Sequence, residues 1–299
     1  MPKIIVVGSS NTDMVIQSVR IPRPGETILG GSFFMNPGGK GANQAVAAAR
    51  LGGQVHFICK LGQDVFGDLA RAQFEKEGMH IEFVQQAAGL ASGVALINVD
   101  AHGENSITVA SGANAALNSK DIDQADTLFE ANDVLLIQLE TPLETVWHTI
   151  KKAAEKELKV ILNPAPAAKI PEEVYPYIFA ITPNETETEL LTGLSIDSLA
   201  HAQEAAQILL GKGIKHVIIT MGAQGAYYQS AKEKLFIPTH IVQAVDTTAA
   251  GDCFNGALAV AISQQKAWEP AIRFACEAAT LSVTKRGAQA SMPYLQDLL

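Results

Sequence analysis

Short, nearly unbroken apolar runs separated by helix-length stretches are what most constrain this chain. The runs fall at roughly 3–7, 55–60, 133–138, 158–162, 178–181 and 215–220. Helical patterns occupy roughly 40–51, 65–77, 143–157, 185–192, 199–211, 249–264 and 269–284. Strands that alternate with helices build βαβ units and therefore a mostly parallel sheet covered on both faces. Val134-Leu135-Leu136-Ile137 has the continuous apolar character of a strand buried on both sides. With 299 residues, 47% hydrophobic and 18% charged, the chain can bury one large core, and a single α/β domain over 1–299 is expected.

Two stretches break the rhythm. Residues 13–36 contain Met14-Val15-Ile16, a turn at Pro22-Arg23-Pro24-Gly25, and Thr27-Ile28-Leu29. Residues 92–110 contain Val94 to Val99, a turn at Asp100-Ala101-His102-Gly103, and Asn105 to Val109. Each reads as a hairpin with little helix nearby. Two hairpins that do not join the main sheet can pair as a small sheet of their own. That sheet is either a lid over a site or a surface ornament.

Formal net charge is −9, and no Lys/Arg block occurs, which argues against a nucleic-acid surface or an anionic-membrane patch. Cys59, Cys253 and Cys276 are odd in number and widely spaced, so neither a disulfide framework nor a zinc site is expected. Met1 to Gly8 reads as a first strand and not as a signal peptide, and no apolar run approaches the ~20 residues that span a bilayer. A soluble cytoplasmic protein is expected.

Two segments carry chemistry. In Gly38-Gly39-Lys40-Gly41-Ala42-Asn43-Gln44-Ala45, glycines let the backbone approach a ligand, and a helix start offers free N–H groups. Lys40 is followed by Gly41 where a Walker A loop needs Ser or Thr, so this is no P-loop. The plain alternative is a tight turn feeding an Ala-rich helix. In Asp246-Thr247-Thr248-Ala249-Ala250-Gly251-Asp252, small residues sit at a helix start, where unpaired N–H groups favour an anion. Asp252 beside that anion can accept a proton from an attacking hydroxyl. The alternative is that Asp246 or Asp252 merely caps the helix.

In this order and separation, the two segments resemble the signatures of the ribokinase family of carbohydrate kinases, also called the PfkB family. The resemblance covers nearly the whole chain. Gly8-Ser9-Ser10-Asn11-Thr12-Asp13, Pro24-Gly25-Glu26-Thr27, Asn163-Pro164-Ala165-Pro166-Ala167 and Thr182-Pro183-Asn184-Glu185-Thr186-Glu187 are similar to further segments of that family. The resemblance implies a three-layer α/β sandwich around a mostly parallel sheet, with a small β lid that often pairs two subunits into a homodimer. It implies ATP-dependent phosphorylation of D-ribose to D-ribose 5-phosphate. Asn11, Asp13, Gly39, Lys40, Asn43 and Glu140 would bind the sugar. Asp252 would be the base, and the N–H groups of Ala249, Ala250 and Gly251 would form the anion hole. Asn184, Thr220, Gly222, Gly225, Gly251 and Cys276 would line the ATP site, although the family often has a more polar residue at the position of Cys276. Glu187 would act on Mg²⁺ through water. Asp246, Thr248, Ser282, Lys285, Gly287 and Ser291 would surround an activating K⁺, mostly through backbone carbonyls.

Taken without the resemblance, Asn184 and Glu187 read as a helix cap, and Thr220 to Gly225 as an ordinary strand-to-strand turn. Lys285-Arg286 reads as a basic helix end, and Cys276 as a small buried residue. Rival functions are a kinase for another small sugar or a nucleoside, and a sugar sensor that has lost catalysis. A Rossmann dehydrogenase would need Gly-x-Gly-x-x-Gly after the first strand, and Gly8 to Asp13 does not supply it.

Overall fold

A computed structural model of the chain describes residues 2–298. The first strand, β1 (Ile4–Val7), has every side chain buried. It alternates between two cores: Ile4 and Val6 face one, Ile5 and Val7 the other. After Gly8-Ser9-Ser10 the chain leaves this sheet to form β2 (Asn11–Gln17) and β3 (Ser32–Gly38). It then returns through α1 (Lys40–Arg50) to β4 (Val55–Gly62), α2 (Val65–Lys76) and the short edge strand β5 (Val84–Ala87). A second excursion forms β6 (Gly93–Val99) and β7 (Asn105–Ala110). The remainder alternates: α3 (Ser119–Gln124), β8 (Val134–Ile137), α4 (Leu143–Glu155), β9 (Lys159–Leu162), β10 (Ala180–Ile181), α5 (Glu185–Thr192), α6 (Leu199–Gly211) and β11 (His216–Thr220). An antiparallel extension, β12 (Gly225–Ser230) and β13 (Lys234–Pro238), precedes the closing helices α7 (Ala250–Ser263) and α8 (Trp268–Ser282).

Nine strands form the large sheet in the order β13-β12-β11-β10-β9-β8-β1-β4-β5. From β11 to β5 every pairing is parallel; β12 and β13 add antiparallel. One face packs on α1, α7 and α8 through Val46, Leu258 and Ile272. The other packs on α4 and α6 through Ile150 and Leu209. Each fully buried aliphatic side chain contributes ~1.5–3 kcal/mol of hydrophobic stabilisation, so both faces of the sheet are strongly held. The architecture is the three-layer α/β sandwich expected. β5, β12, β13 and α3 lie outside the apolar runs and helical patterns of the sequence.

The two hairpins do pair. The second sheet runs β3-β2-β6-β7, with β2 and β6 parallel at its centre. Its first hairpin departs from expectation: the return strand is Ser32–Gly38, and Thr27 to Leu29 lies in the loop. Gln17 pairs with Ser32, and Gly31 has φ +112 with its Cβ position 2.0 Å from the Gln17 carbonyl oxygen. Only a glycine can round that corner, which carries the loop on to residue 31.

Parallel strands share a direction, so the chain exits from β1, β8, β9, β10 and β11 gather along one edge of the large sheet. There Ser9, Glu140, Asn163 and Asn184 follow their strands, and Thr220 ends β11. Crevices beyond the carboxyl ends of parallel strands are where α/β folds place ligands. Among the described residues no helix is long and apolar enough to cross a membrane.

Candidate active site

At the junction of the two sheets, the β1 exit and the start of α1 touch backbone to backbone. A Cβ on Gly41 would lie 2.6 Å from the Gly8 carbonyl carbon, and one on Gly39, which has φ +88, would lie 2.7 Å from the Asn11 nitrogen. Gly38 makes room for a side chain instead: its Cβ position is 2.3 Å from a carboxylate oxygen of Asp13. The glycine-rich segment thus lets β2 and α1 converge and leaves a carboxylate standing between them.

Two predicted sugar residues, Glu140 and Asn11, are held by partners outside the candidate set, Ser9 and Asn114. Glu140 Oε2 accepts from the Ser9 hydroxyl and from the Lys40 backbone N–H at 3.0 Å. Asn11 Oδ1 accepts from Asn114 Nδ2 at 2.8 Å, which fixes which way its amide points. Asn114 is itself anchored by the Ser10 N–H, which donates to Asn114 Oδ1 at 2.9 Å. Burial, then the charges of Glu140 and Asp252, push Asp13 up to about 6. Burial alone would lower Lys40, but the carboxylates of Asp252, Glu140, Glu187 and Asp13 outweigh it and hold the ammonium above its ordinary range. One half-buried cation therefore balances several carboxylates.

Asp252 is buried in the first turn of α7. Neither aspartate caps the helix: the N-cap position is Ala249, with φ +60, and no side chain caps it. The carboxylate of Asp252 faces inward, where Asn43 Nδ2 donates to Oδ2 at 2.9 Å and Gln44 Nε2 donates to Oδ1 at 2.9 Å. Burial raises its pKa above the usual carboxylate range; Lys40 and the two amides act in the opposite direction. The Ala250 N–H turns back to the Thr247 carbonyl at 3.3 Å. The N–H groups of Gly251 and Asp252 have no acceptor among the described residues.

Lys40, Asn184, Glu187, Thr220, Ala249, Ala250, Gly251 and Asp252 all line one cleft of about 200 Å³. Asn184 and Glu187 also form the helix cap: Asn184 Oδ1 accepts from the Glu187 N–H at 2.8 Å, and Glu187 Oε2 accepts from the Asn184 N–H at 2.9 Å. The cap and the cleft wall are the same residues. Burial raises the Glu187 pKa despite that hydrogen bond.

Three nucleotide candidates are not among the lining residues. Gly222 and Gly225 form the β11–β12 turn, where Gly225 has φ +115 and a Cβ would meet the Ile237 carbonyl oxygen at 2.1 Å; the fold alone requires that glycine. Cys276 is buried in the core beneath α8, where burial pushes its thiol up to about 12.

The loop candidates fall on two adjoining segments. Asp246 Oδ1 accepts from the Thr248 N–H, Oδ2 accepts from the Gly287 N–H, each at 2.9 Å, and the Asp246 N–H donates to the Val283 carbonyl at 3.2 Å. Burial works against the Asp246 charge, but these hydrogen bonds hold its carboxyl below the usual range. Ser282 and Ser291 are buried, with hydroxyls turned to Ala279 and Ala288 carbonyls. Lys285 is exposed.

The model of the pfkB family carbohydrate kinases matches residues 1–295. The chain belongs to the PfkB family of carbohydrate kinases. It is 43% identical to a ribokinase from Haemophilus influenzae over 99% of this chain and 97% of that protein. It is 38% identical to a deoxyribokinase from Salmonella typhi over 98% and 96%. The solved structure of an Arabidopsis thaliana ribokinase complexed with ribose and ATP superimposes with a TM-score of 0.91, at 31% identity, covering 99% of this chain and 97% of that one. As a carbohydrate kinase, the chain is a phosphotransferase whose acceptor is a sugar.

Proposed function

We propose that this kinase transfers the γ-phosphoryl group of ATP to the 5-hydroxyl of D-ribose. The observation that carries the reading is Asp252: a buried carboxylate, its two oxygens each holding one amide donor, beside the open N–H groups of the same helix turn. The ribokinase from Haemophilus influenzae and the ribose- and ATP-bound Arabidopsis structure point to the same acceptor and donor.

The sugar lies between β2 and the start of α1, against Asn11, Asp13, Gly39, Lys40, Asn43 and Glu140. This set is polar throughout and suits a small polyol. Asn43 also keeps a buried Oδ1 without a partner among the described residues, an acceptor for a sugar hydroxyl. Asp252 takes the proton of the attacking hydroxyl, and its raised pKa makes it a better acceptor than an exposed aspartate. The N–H groups of Gly251 and Asp252, with that of Ala249 beside them, receive the charge that develops on the transferring group, while the Ala250 N–H is engaged by the Thr247 carbonyl. Asn184, Thr220 and Gly251 flank the phosphates, and Gly222, Gly225 and Cys276 fall on the nucleotide side.

Glu187 and Asn184 fit a hydrated Mg²⁺, because only Oε2 of the Glu187 carboxylate is engaged by the cap and the residue lines the cleft. Mg²⁺ supplies charge neutralisation on the phosphates when bound. Asp246, Thr248, Ser282, Lys285, Gly287 and Ser291 fit a K⁺ loop, because the Asp246 carboxylate ties the two segments together. The small sheet serves as a lid that excludes water and as the pairing surface of a homodimer.

The relationship to a deoxyribokinase supports a second reading, with 2-deoxyribose as acceptor. ATP turnover with Mg²⁺ across ribose, 2-deoxyribose, fructose and adenosine, in K⁺ and in Na⁺, decides between them. Preference for ribose, raised by K⁺, is expected. Preference for 2-deoxyribose keeps the base and moves the acceptor. No turnover with any acceptor contradicts the catalytic reading.

A further inference from the structure

We propose that Gln44 is a positioning residue for phosphoryl transfer, holding the Asp252 carboxylate in place as a base through an amide whose orientation is dictated by Gln138. The proposal rests on the reading of Asp252 as the base. Gln44 is fully buried one turn into α1 and, like Gln138, is not among the residues lining the cleft. Its Nε2 donates to Asp252 Oδ1 at 2.9 Å and to Asn163 Oδ1 at 2.9 Å, so both amide hydrogens are used. Its Oε1 accepts from Gln138 Nε2 at 2.6 Å. Flipping the Gln44 amide would set oxygen against two acceptors and NH₂ against a donor, so Gln138 makes one orientation the only satisfied one.

The same chain of hydrogen bonds continues to the helix turn that receives the phosphoryl group. Asn163 Nδ2 reaches the Thr182 carbonyl at 3.4 Å. The Thr182 hydroxyl donates to Asn255 Oδ1 at 2.6 Å, and Asn255 Nδ2 donates to the Gly251 carbonyl at 2.8 Å. From Gln138 to Asn255, one buried network links the ends of β8, β9 and β10 to α1 and α7, and its last bond reaches the exposed Gly251.

The cost of this arrangement is visible at Gln138. Its own Oε1 is buried without a partner among the described residues. A buried amide oxygen left unpaired is destabilising and calls for an explanation. A residue kept only for packing would be better apolar. Gln138 keeps its amide because the Nε2 end holds Gln44.

The pH profile of kcat at saturating sugar separates positioning from packing. Lys40, Asp13, Glu140 and Glu187 face Asp252 from the neighbouring elements and set its charge environment; the substitutions below leave them in place. An amide that donates to a carboxylate favours its ionised form. Gln44→Met is therefore expected to move the acid limb of kcat to higher pH by about one unit, because Asp252 must lose its proton to act. It lowers kcat by about ten- to a hundredfold and leaves the KM for sugar within about threefold. Gln138→Met shifts kcat and the limb in the same direction by less, with a Tm within about 3 °C of the parent. A folded Gln44→Met enzyme with an unmoved limb overturns the proposal, and so does a Gln138→Met enzyme with parental kcat and limb. If Gln44→Met fails to fold, Gln138→Met carries the test alone. Asp252→Ala distinguishes the underlying reading: an active Asp252→Ala enzyme removes base and positioning residue together, whereas an inactive one beside unmoved limbs removes only the positioning.

Discussion

Every side chain of β1 and β8 in the nine-stranded sheet is buried, while in the four-stranded sheet all six residues of β7 are exposed. The large sheet is held by helices on both faces and gathers its candidate site residues where its parallel strands end. The small sheet presents Asn11 and Asp13 toward the site from one face. The other face of β2 and its neighbours carries Ile16, Phe33, Met35 and Leu96, which are 44%, 59%, 49% and 54% exposed. The register aligns Met14 with Met35 and with Leu96, so these residues form one continuous apolar surface. Contiguous apolar patches of that kind mark contact surfaces. In our proposal, the large sheet gives the phosphoryl end its rigidity, while the small sheet contributes Asn11 and Asp13 to the sugar and its outer face to the partner subunit.

Among the variants that set the two sheets against each other, Gly251→Ala at the rigid end should have the largest effect. A Cβ there meets nothing within 4 Å, so the fold tolerates it, and helix propensity favours alanine by ~1 kcal/mol. The methyl would stand in the cleft. We predict kcat/KM for ATP lower by about a hundredfold with an unchanged or raised Tm. Full activity would mean that this turn does not receive the phosphoryl group.

Leu96→Lys sharpens the other side of the comparison. Sedimentation velocity should find the parent dimeric, and the variant monomeric with its fold retained, as expected when a charge enters an apolar interface. A monomeric parent removes the small sheet as a pairing surface. The smallest effect concerns Ala249, held at φ +60, where an L side chain costs ~1–2 kcal/mol. Ala249→Gly should raise stability to denaturant by ~0.5–1 kcal/mol after the glycine's extra unfolded-state entropy. Loss of stability would show that the methyl contributes more by packing than it costs in strain.

The two sheets were also unequally legible in the sequence. Ile4 to Val7 and Val134 to Ile137 read as strands because burial on both faces makes them unbroken apolar runs. Ser32 to Gly38 ends in Asn36-Pro37-Gly38 and follows two glycines, so the strand that pairs with β2 was hidden by residues that usually mark loops. β13 pairs on one side only and mixes Lys234 and Pro238 with apolar residues, which erases any period.

At the site, the two glycine-bearing motifs announced Lys40, Asn43 and Asp252, because backbone approach and helix starts leave a local signature. Gln44 stood within the first motif, but nothing local tied it to Asp252, 208 positions away. Asn114 orients Asn11 from 103 positions away. Partners brought together only by the tertiary fold leave no spacing to read. The cap formed by Asn184 and Glu187 illustrates the converse: the local pattern revealed the cap, and the fold turned that cap toward the cleft.

The most direct test of the account is Asp252→Ala, with kcat measured at saturating ATP and sugar and sugar affinity measured by calorimetry. With Asp252 as the base, kcat should fall by about a hundred- to ten-thousandfold while sugar affinity stays within a few fold of the parent. A kcat within tenfold of the parent would contradict that assignment and would leave the buried carboxylate without a chemical role.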